Sequence, residues 1–171
     1  MVSGDLVGVN KSTISRIVAL VTEVLIPHLK DLIKFPTDDN ELLKIKSEFA
    51  KTRGSPGVLG AIDCTHIPIK SPGEPNAELS RNRKGWFSIN VQAVCTASLK
   101  FSNVVARWHG SCHDSTILTN SRLWAQLQTG EIKRGYLLGD RGYACSQHLL
   151  TPVINPEDPA KVLYNKSHIQ T

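Results

Sequence analysis

The sequence predicts an α/β fold: a mixed β-sheet with one helix folded onto it, preceded by a small helical segment. Three observations carry this. Residues 1–50 place apolar side chains at helical spacing, and residues 57–145 hold short apolar runs of β type. The first three of those runs follow one another with no helix between them, which separates a mixed sheet from a doubly wound parallel one.

Taken in order, Asn10-Lys11-Ser12-Thr13 offers capping side chains ahead of Ile14, Ile17, Val18, Val21 and Leu25, a helical stripe. Pro27 is expected to kink or end that helix, since an internal proline loses a backbone donor. Phe35 to Asp39 reads as a loop, with Thr37 or Asp38 capping a second helix through Phe49. Lys51 to Gly57 is rich in breakers and reads as the linker between a helical segment, residues 1–50, and a main domain, residues 57–171. Val58 to Ile62 is an apolar strand running into Asp63, and Ile67-Pro68-Ile69 continues it. Ser88 to Ser98 and Phe101 to Trp108 are two further β-type runs joined by a polar hairpin junction. His113-Asp114-Ser115 precedes Ile117, Leu118, Leu123, Trp124 and Leu127, which read as one helix ended by Thr129-Gly130. Tyr136 to Leu138 is a last short strand, stopping at Gly139-Asp140.

Composition bounds the rest. A chain of 171 residues is one domain, or one with an appendage, at about 150 residues per domain. With 40% hydrophobic and 20% charged residues, 12 Gly and 9 Pro, it is not a disordered tail, a collagen, a coiled coil or a disulfide scaffold. The net charge of +5 and pI near 9.1 favour a polyanionic partner without establishing one. Cys64, Cys95, Cys112 and Cys145 form no C-x-x-C pair and read as reduced thiols of an intracellular protein. Met1 to Asp5 lacks the basic start of a signal peptide, and Thr22-Glu23 interrupts the apolar run from Ile17. The expectation is a soluble protein without a membrane span.

Chemistry concentrates in three acids. Asp63 and Asp140 each end an apolar strand, where an ionised carboxylate is costly unless something compensates it. A strand-end Asp can simply accept turn N–H bonds. Two of them on neighbouring strands can instead hold a hard divalent ion such as Mg²⁺ through oxygen ligands. Two such ions activate a water and stabilise the leaving oxygen of a phosphodiester. Asp114 lies where a helix begins, so helix capping and metal binding are both open to it.

Rival readings exist for the neighbours. Cys64, His66, His109, Cys112 and His113 could supply soft ligands to zinc, although their spacing matches no ribbon or finger. His66 reads better as a supporting or packing residue; His28, His148 and His168 receive no role. Arg81, Arg83 and Lys84, followed by Trp86 and Phe87, could meet a phosphate backbone and stack on a base. The same run also fits a solvated loop leading into core aromatics. Arg141 either neutralises a phosphate or pairs with Asp140.

Five blocks together resemble the PIF/Harbinger transposase superfamily, most of all its domesticated vertebrate nuclease branch. They are Gly60 to Ile69, Asn82 to Gly85, Gly110 to Ser115, Leu137 to Tyr143, and Leu150 to Pro152. Val7 to Arg16 is similar to the back half of the helix-turn-helix that precedes the family's catalytic domain. The resemblance implies a ribonuclease-H-like fold with a DDE site using Mg²⁺ or Mn²⁺. It implies catalytic roles for Asp63 and Asp140, with Asp114 as a further metal ligand. It also implies DNA as substrate, a Myb/SANT-like DNA-binding partner, and a place in nucleus and cytoplasm.

One departure matters. The family's closing glutamate follows an Asn-x-x-His block, matched here by Asn165 to His168, and no residue of this chain takes the glutamate position. The nuclease domain is therefore expected to be incomplete at its C-terminus, and the helix-turn-helix partial. Two function classes follow: a metal-dependent nuclease cutting DNA phosphodiesters, or a non-catalytic DNA- or protein-binding relic.

Overall fold

A computed structural model describes residues 8–75 and 77–170. Met1 to Asp5, Val7 (where the helix-turn-helix likeness begins) and Thr171 lie outside the described residues. The chain divides into two compact units between Lys34 and Phe35.

The first unit carries helix α1, Lys11–Leu32, capped by Asn10, whose side chain accepts from the Ser12 N–H. Pro27 lies inside this helix and does not end it, because the turns on either side continue through Leu32. Over its best 18-residue window α1 has a mean hydropathy of 1.3 and at most two charged residues, so by length and composition it could cross a membrane. This corrects the expectation that no such stretch exists. Thr22 and Glu23 break an apolar run in sequence but not a helix, where apolar turns resume beyond them. None of the described residues of α1 is buried.

In the second unit, α2 (Asp39–Arg53) starts at Asp38, whose carboxylate accepts from the Asn40 and Glu41 N–H groups. It ends at Gly54, which adopts a left-handed φ of 69°. Leu42, Ile45 and Phe49 of α2 are buried among residues of the sheet. That packing moves the division of the chain away from the predicted linker at residues 51–57: α2 belongs to the sheet domain.

The sheet comprises β1 (Val58–Pro68), β2 (Ser88–Cys95), β3 (Phe101–His109), β4 (Tyr136–Leu138) and β5 (Leu149–Leu150), in the order β3-β2-β1-β4-β5. β1, β2 and β3 pair antiparallel; β1–β4 and β4–β5 pair parallel. The predicted mixed α/β sheet is present. A single turn, α3 (Ala77–Ser80), precedes β2. The helix expected after His113 is two: α4 (Asp114–Thr119) and α5 (Arg122–Gln128). Ser121 breaks it, accepting from the Trp124 N–H as the cap of a new helix. β5 and α6 (Pro159–Gln170) add to the elements the sequence predicts; Asp158 opens α6 by accepting from the Ala160 N–H, ahead of Pro159 in the first turn.

The core forms around β1 and β4. Leu59, Ile62 and Leu137 pack with Leu118, Leu123, Leu127 and Tyr143, while Val58 and Leu138 pack with Ile45 and Phe49. Gly60 sits inside this packing. A β-carbon there would meet Val94 Cγ1 at 2.4 Å and the Cys95 carbonyl oxygen at 3.2 Å. Gly60→Ala should therefore lower unfolding stability by about 1–3 kcal/mol, read as a lower urea midpoint with an unchanged slope.

Candidate active site

β1 corrects one sequence expectation at once. Asp63 lies within the strand and not at its end, because β1 continues through Pro68 by pairing with β2. What stops near Asp63 is the parallel pairing with β4, which runs to Ala61 opposite Leu138. Two residues beyond that last pair come Asp63, still in β1, and Asp140, just past the end of β4, which brings the two acids to the same end of the pairing. Side chains alternate along β1, which puts Cys64 and His66 on the face opposite Asp63.

A cleft of about 380 Å³ opens at this end of the sheet. Asp114, Asp140, Arg83, Arg141, His66 and His113 all line it. Asp63 is not part of the lining but stands close enough to feel it. Partial burial of its carboxyl raises the Asp63 pKa from the ordinary aspartate value, opposed by the Cys64 N–H bond and reinforced by the charges of Asp140 and Asp114. A methyl group at Gly142 would meet Asp140 Oδ1 at 2.9 Å and Asp114 Oδ2 at 3.5 Å, so an oxygen of each acid borders that glycine.

Each acid is held by one short bond. Asp63 Oδ1 accepts from its neighbour Cys64 N–H at 2.7 Å, and Asp140 Oδ1 from the Gly142 N–H at 2.8 Å. Asp114 is the first residue of α4 and does not cap it; His113 holds the cap position without a side-chain bond. Instead Asp114 Oδ1 accepts from Asn90 Nδ2 at 2.9 Å, and the same amide donates to the Cys112 carbonyl at 3.0 Å. Asn90 is fully buried on β2, and sequence reasoning passed over it. The available signal was Ser88, Asn90 and Gln92, three polar residues alternating along an otherwise apolar strand, all fully buried.

The soft-ligand alternative fails on its own chemistry. Among the described residues no three His, Cys, Asp or Glu side chains form a group that could hold a metal. The Cys64 thiol is pushed up to about 12 by burial, and its Sγ lies 3.3 Å from the Tyr143 hydroxyl. His66 and His109 are bonded to Ser88 and Ser80. All four cysteines are free. The same finding holds for the acids: among the described residues Asp63, Asp114 and Asp140 do not together form such a group. Mg²⁺ does not require one, since it keeps several waters and uses one or two carboxylates with substrate phosphate. Asp63 and Asp140 each retain an oxygen without a hydrogen bond among the described residues, and hard oxygen donors are what such an ion takes.

The basic residues separate by position. Arg81 is engaged locally: it makes a forked pair with Glu78, donates to the Gly85 carbonyl and lies 4.7 Å over the Phe87 ring. Arg83 lines the cleft, and Lys84 is exposed beside it. Arg141 lines the cleft too and, among the described residues, forms no ion pair with Asp140.

Asp140 and, on the helix after the hairpin strands, Asp114 share the cleft, with Asp63 beside it on β1, and a match in sequence joins this geometry. The pattern of the DDE superfamily endonuclease family covers residues 62–171. The chain belongs to that family. It is 39% identical over 168 residues to the Rattus norvegicus protein named "Putative nuclease HARBI1", and 38% identical to the Homo sapiens protein of that name. In both cases the match takes in 98% of this chain and 48% of the relative. "Protein ALP1-like" of Arabidopsis thaliana is 31% identical over 182 residues, covering 98% of this chain and 44% of that protein. The chain thus spans about half the length of the curated relatives it matches. No solved structure matches it. The Harbinger likeness read from the five blocks stands, and this DDE endonuclease domain has the mixed sheet it implied.

The raised Asp63 pKa has a consequence for stability. A carboxyl whose folded pKa lies above its unfolded value costs stability once pH exceeds both, and costs nothing below both. Asp63→Asn keeps the oxygen that accepts from Cys64 and removes the charge. Its thermal midpoint should therefore exceed that of the unsubstituted chain at pH 7, with the gain disappearing near pH 3, as followed by circular dichroism melts at the two pH values.

Proposed function

We propose that this domain hydrolyses phosphodiester bonds of DNA with a divalent cation, Mg²⁺ or Mn²⁺. The observation that carries the reading is the shared cleft: Asp114 and Asp140 line it with Arg83 and Arg141, and Asp63 feels both acids. Clustered like charges persist in a fold when a ligand neutralises them, and oppositely charged arginines on the same walls suit a phosphate that arrives with a cation.

Asp140, Asp63 and Asp114 would hold the ion. Once bound, it would neutralise phosphate charge and render a water nucleophilic. The chain's own residues do the rest. The Cys64 and Gly142 N–H groups and the Asn90 amide fix one oxygen of each acid. Arg83 and Arg141 neutralise and orient the phosphate, and Lys84 extends the basic surface along the backbone of the nucleic acid. Arg81 is left to hold the loop through Glu78. The Harbinger resemblance further supports a Myb/SANT-like partner and action in nucleus and cytoplasm.

A second reading has its own support. The absence of a three-ligand group among the described residues favours a non-catalytic DNA- or protein-binding role. Calorimetric titration of the chain with Mn²⁺ separates the two. Asp140→Asn and Asp63→Asn should each weaken Mn²⁺ binding about tenfold or more, with Asp114→Asn behaving alike. Binding indifferent to all three would discard the nuclease reading in favour of the second. Duplex DNA binding should weaken steeply with added salt and on replacing Arg83 and Lys84 with Ala, while Arg81→Ala leaves the salt slope unchanged.

A further inference from the structure

The cleft contains one polar side chain whose orientation is over-determined. His66 lines it from β1 and meets Trp86 edge-on, with ring centroids 5.9 Å apart. Its Nδ1 lies 3.1 Å from Ser88 Oγ, and its Nε2 has no hydrogen-bond partner among the described residues. Ser88 is fully buried and Asn82 nearly so. Asn82 Nδ2 lies 3.2 Å from the same Ser88 oxygen.

The proton positions in this chain follow from its far end. The Lys84 and Trp86 backbone N–H groups both reach Asn82 Oδ1, at 2.9 and 3.3 Å. A backbone N–H can only donate, so that atom is the amide oxygen, and Asn82 presents its NH₂ to Ser88. Ser88 Oγ accepts from Asn82, and because Ser88 is fully buried and has His66 Nδ1 as its one other partner among the described residues, its own hydrogen is satisfied only there. His66 Nδ1 takes it as acceptor, which leaves the ring proton on Nε2. Gly110 closes over this arrangement: a β-carbon there would meet Ser88 Oγ at 2.2 Å and the Ser80 carbonyl at 2.7 Å.

From this the geometry points to His66 as a phosphate-binding residue that offers a fixed Nε2–H to a phosphodiester oxygen in the cleft, with Ser88 and Asn82 as its positioning residues. The partner chemistry follows from what surrounds it. Arg83 and Arg141 line the same cleft and are donors only, and the carboxylates of Asp114 and Asp140 line it too, so the group these donors and His66 suit is an acceptor-rich anion that arrives with a cation. The loop from Asn82 to Gly85 then has two linked duties, delivering Arg83 to the cleft and setting the tautomer of His66. The inference rests on reading the cleft as a phosphodiester site, and its test keeps the two apart.

Two measurements on the full chain decide it. Long-range ¹⁵N–¹H correlation spectra should show His66 as the Nε2–H tautomer, and Ser88→Ala should let the Nδ1–H form appear. Binding of a short labelled DNA duplex at low salt supplies the second. Gln at this position can place an amide N–H near that of Nε2, whereas Asn is too short. His66→Asn should therefore weaken binding about tenfold, the worth of one hydrogen bond to a charged acceptor, and His66→Gln should stay within about twofold of the unsubstituted chain. A predominant Nδ1–H tautomer in the unsubstituted chain overturns the inference. So does unchanged binding by His66→Asn while Arg83→Ala weakens it, which leaves the cleft reading standing. Unchanged binding by His66→Asn, Arg83→Ala and Arg141→Ala alike overturns both.

Discussion

The parallel pairing of β1 with β4, from Val58 opposite Tyr136 to Ala61 opposite Leu138, fixes where everything else can go. It buries Val58, Leu59, Leu137 and Leu138 on the two faces of the sheet, and it ends where the chains turn polar. An ionised carboxylate inside that pairing would be prohibitively desolvated. Placed just past its end, Asp63 and Asp140 remain near water while inheriting the rigidity of buried strands. The acids are thus positioned by a core that they do not enter.

Around this pairing the sheet supplies two different kinds of support. On one face of β1, Cys64 is neutral, bonded to Tyr143 and packed against the core. Further along that face His66 reaches the cleft. The neighbouring strand β2 contributes buried Ser88 and Asn90, each bonded to a residue that lines the cleft, His66 and Asp114. Buried polar groups usually cost stability unless every hydrogen bond is made, and here Asn90 Oδ1 and both polar atoms of the Gln92 side chain have no partner among the described residues. A strand that tolerates such groups at its centre is organised for the site and not for maximal stability.

This explains which parts were legible in the sequence. Apolar runs ending in Asp63 and Asp140 announce themselves because a charge after four or five apolar residues is rare. The hairpin strands and α2 follow from ordinary periodicity and capping. The two-residue β5 is too short to show a period, and α6 has only the Asp158-Pro159 start to mark it. The split between α4 and α5 depends on Ser121 choosing to cap, which competes with a stripe that continues without interruption from Ile117 to Leu127. The apolar length of α1 is hidden in the sequence for a related reason: Thr22 and Glu23 weigh heavily in a linear run and little in a 22-residue helix.

The site beyond its acids was illegible because its meaning lies in pairs distant along the chain. Nothing local to His66 tells of Ser88 or Asn82, and nothing local to Asp114 tells of Asn90. The His66–Ser88 contact exists because antiparallel pairing sets Asn90 beside His66 and Ser88 beside Pro68, and the Asn90–Asp114 bond because α4 returns to β2. Arg81 and Arg83 show the same point within one loop. Two residues apart and identical in charge, one is tied to Glu78 and Phe87 while the other lines the cleft. Charge counted along the sequence therefore overstates the basic surface available to a phosphate, and the fold determines which cations remain free to meet it.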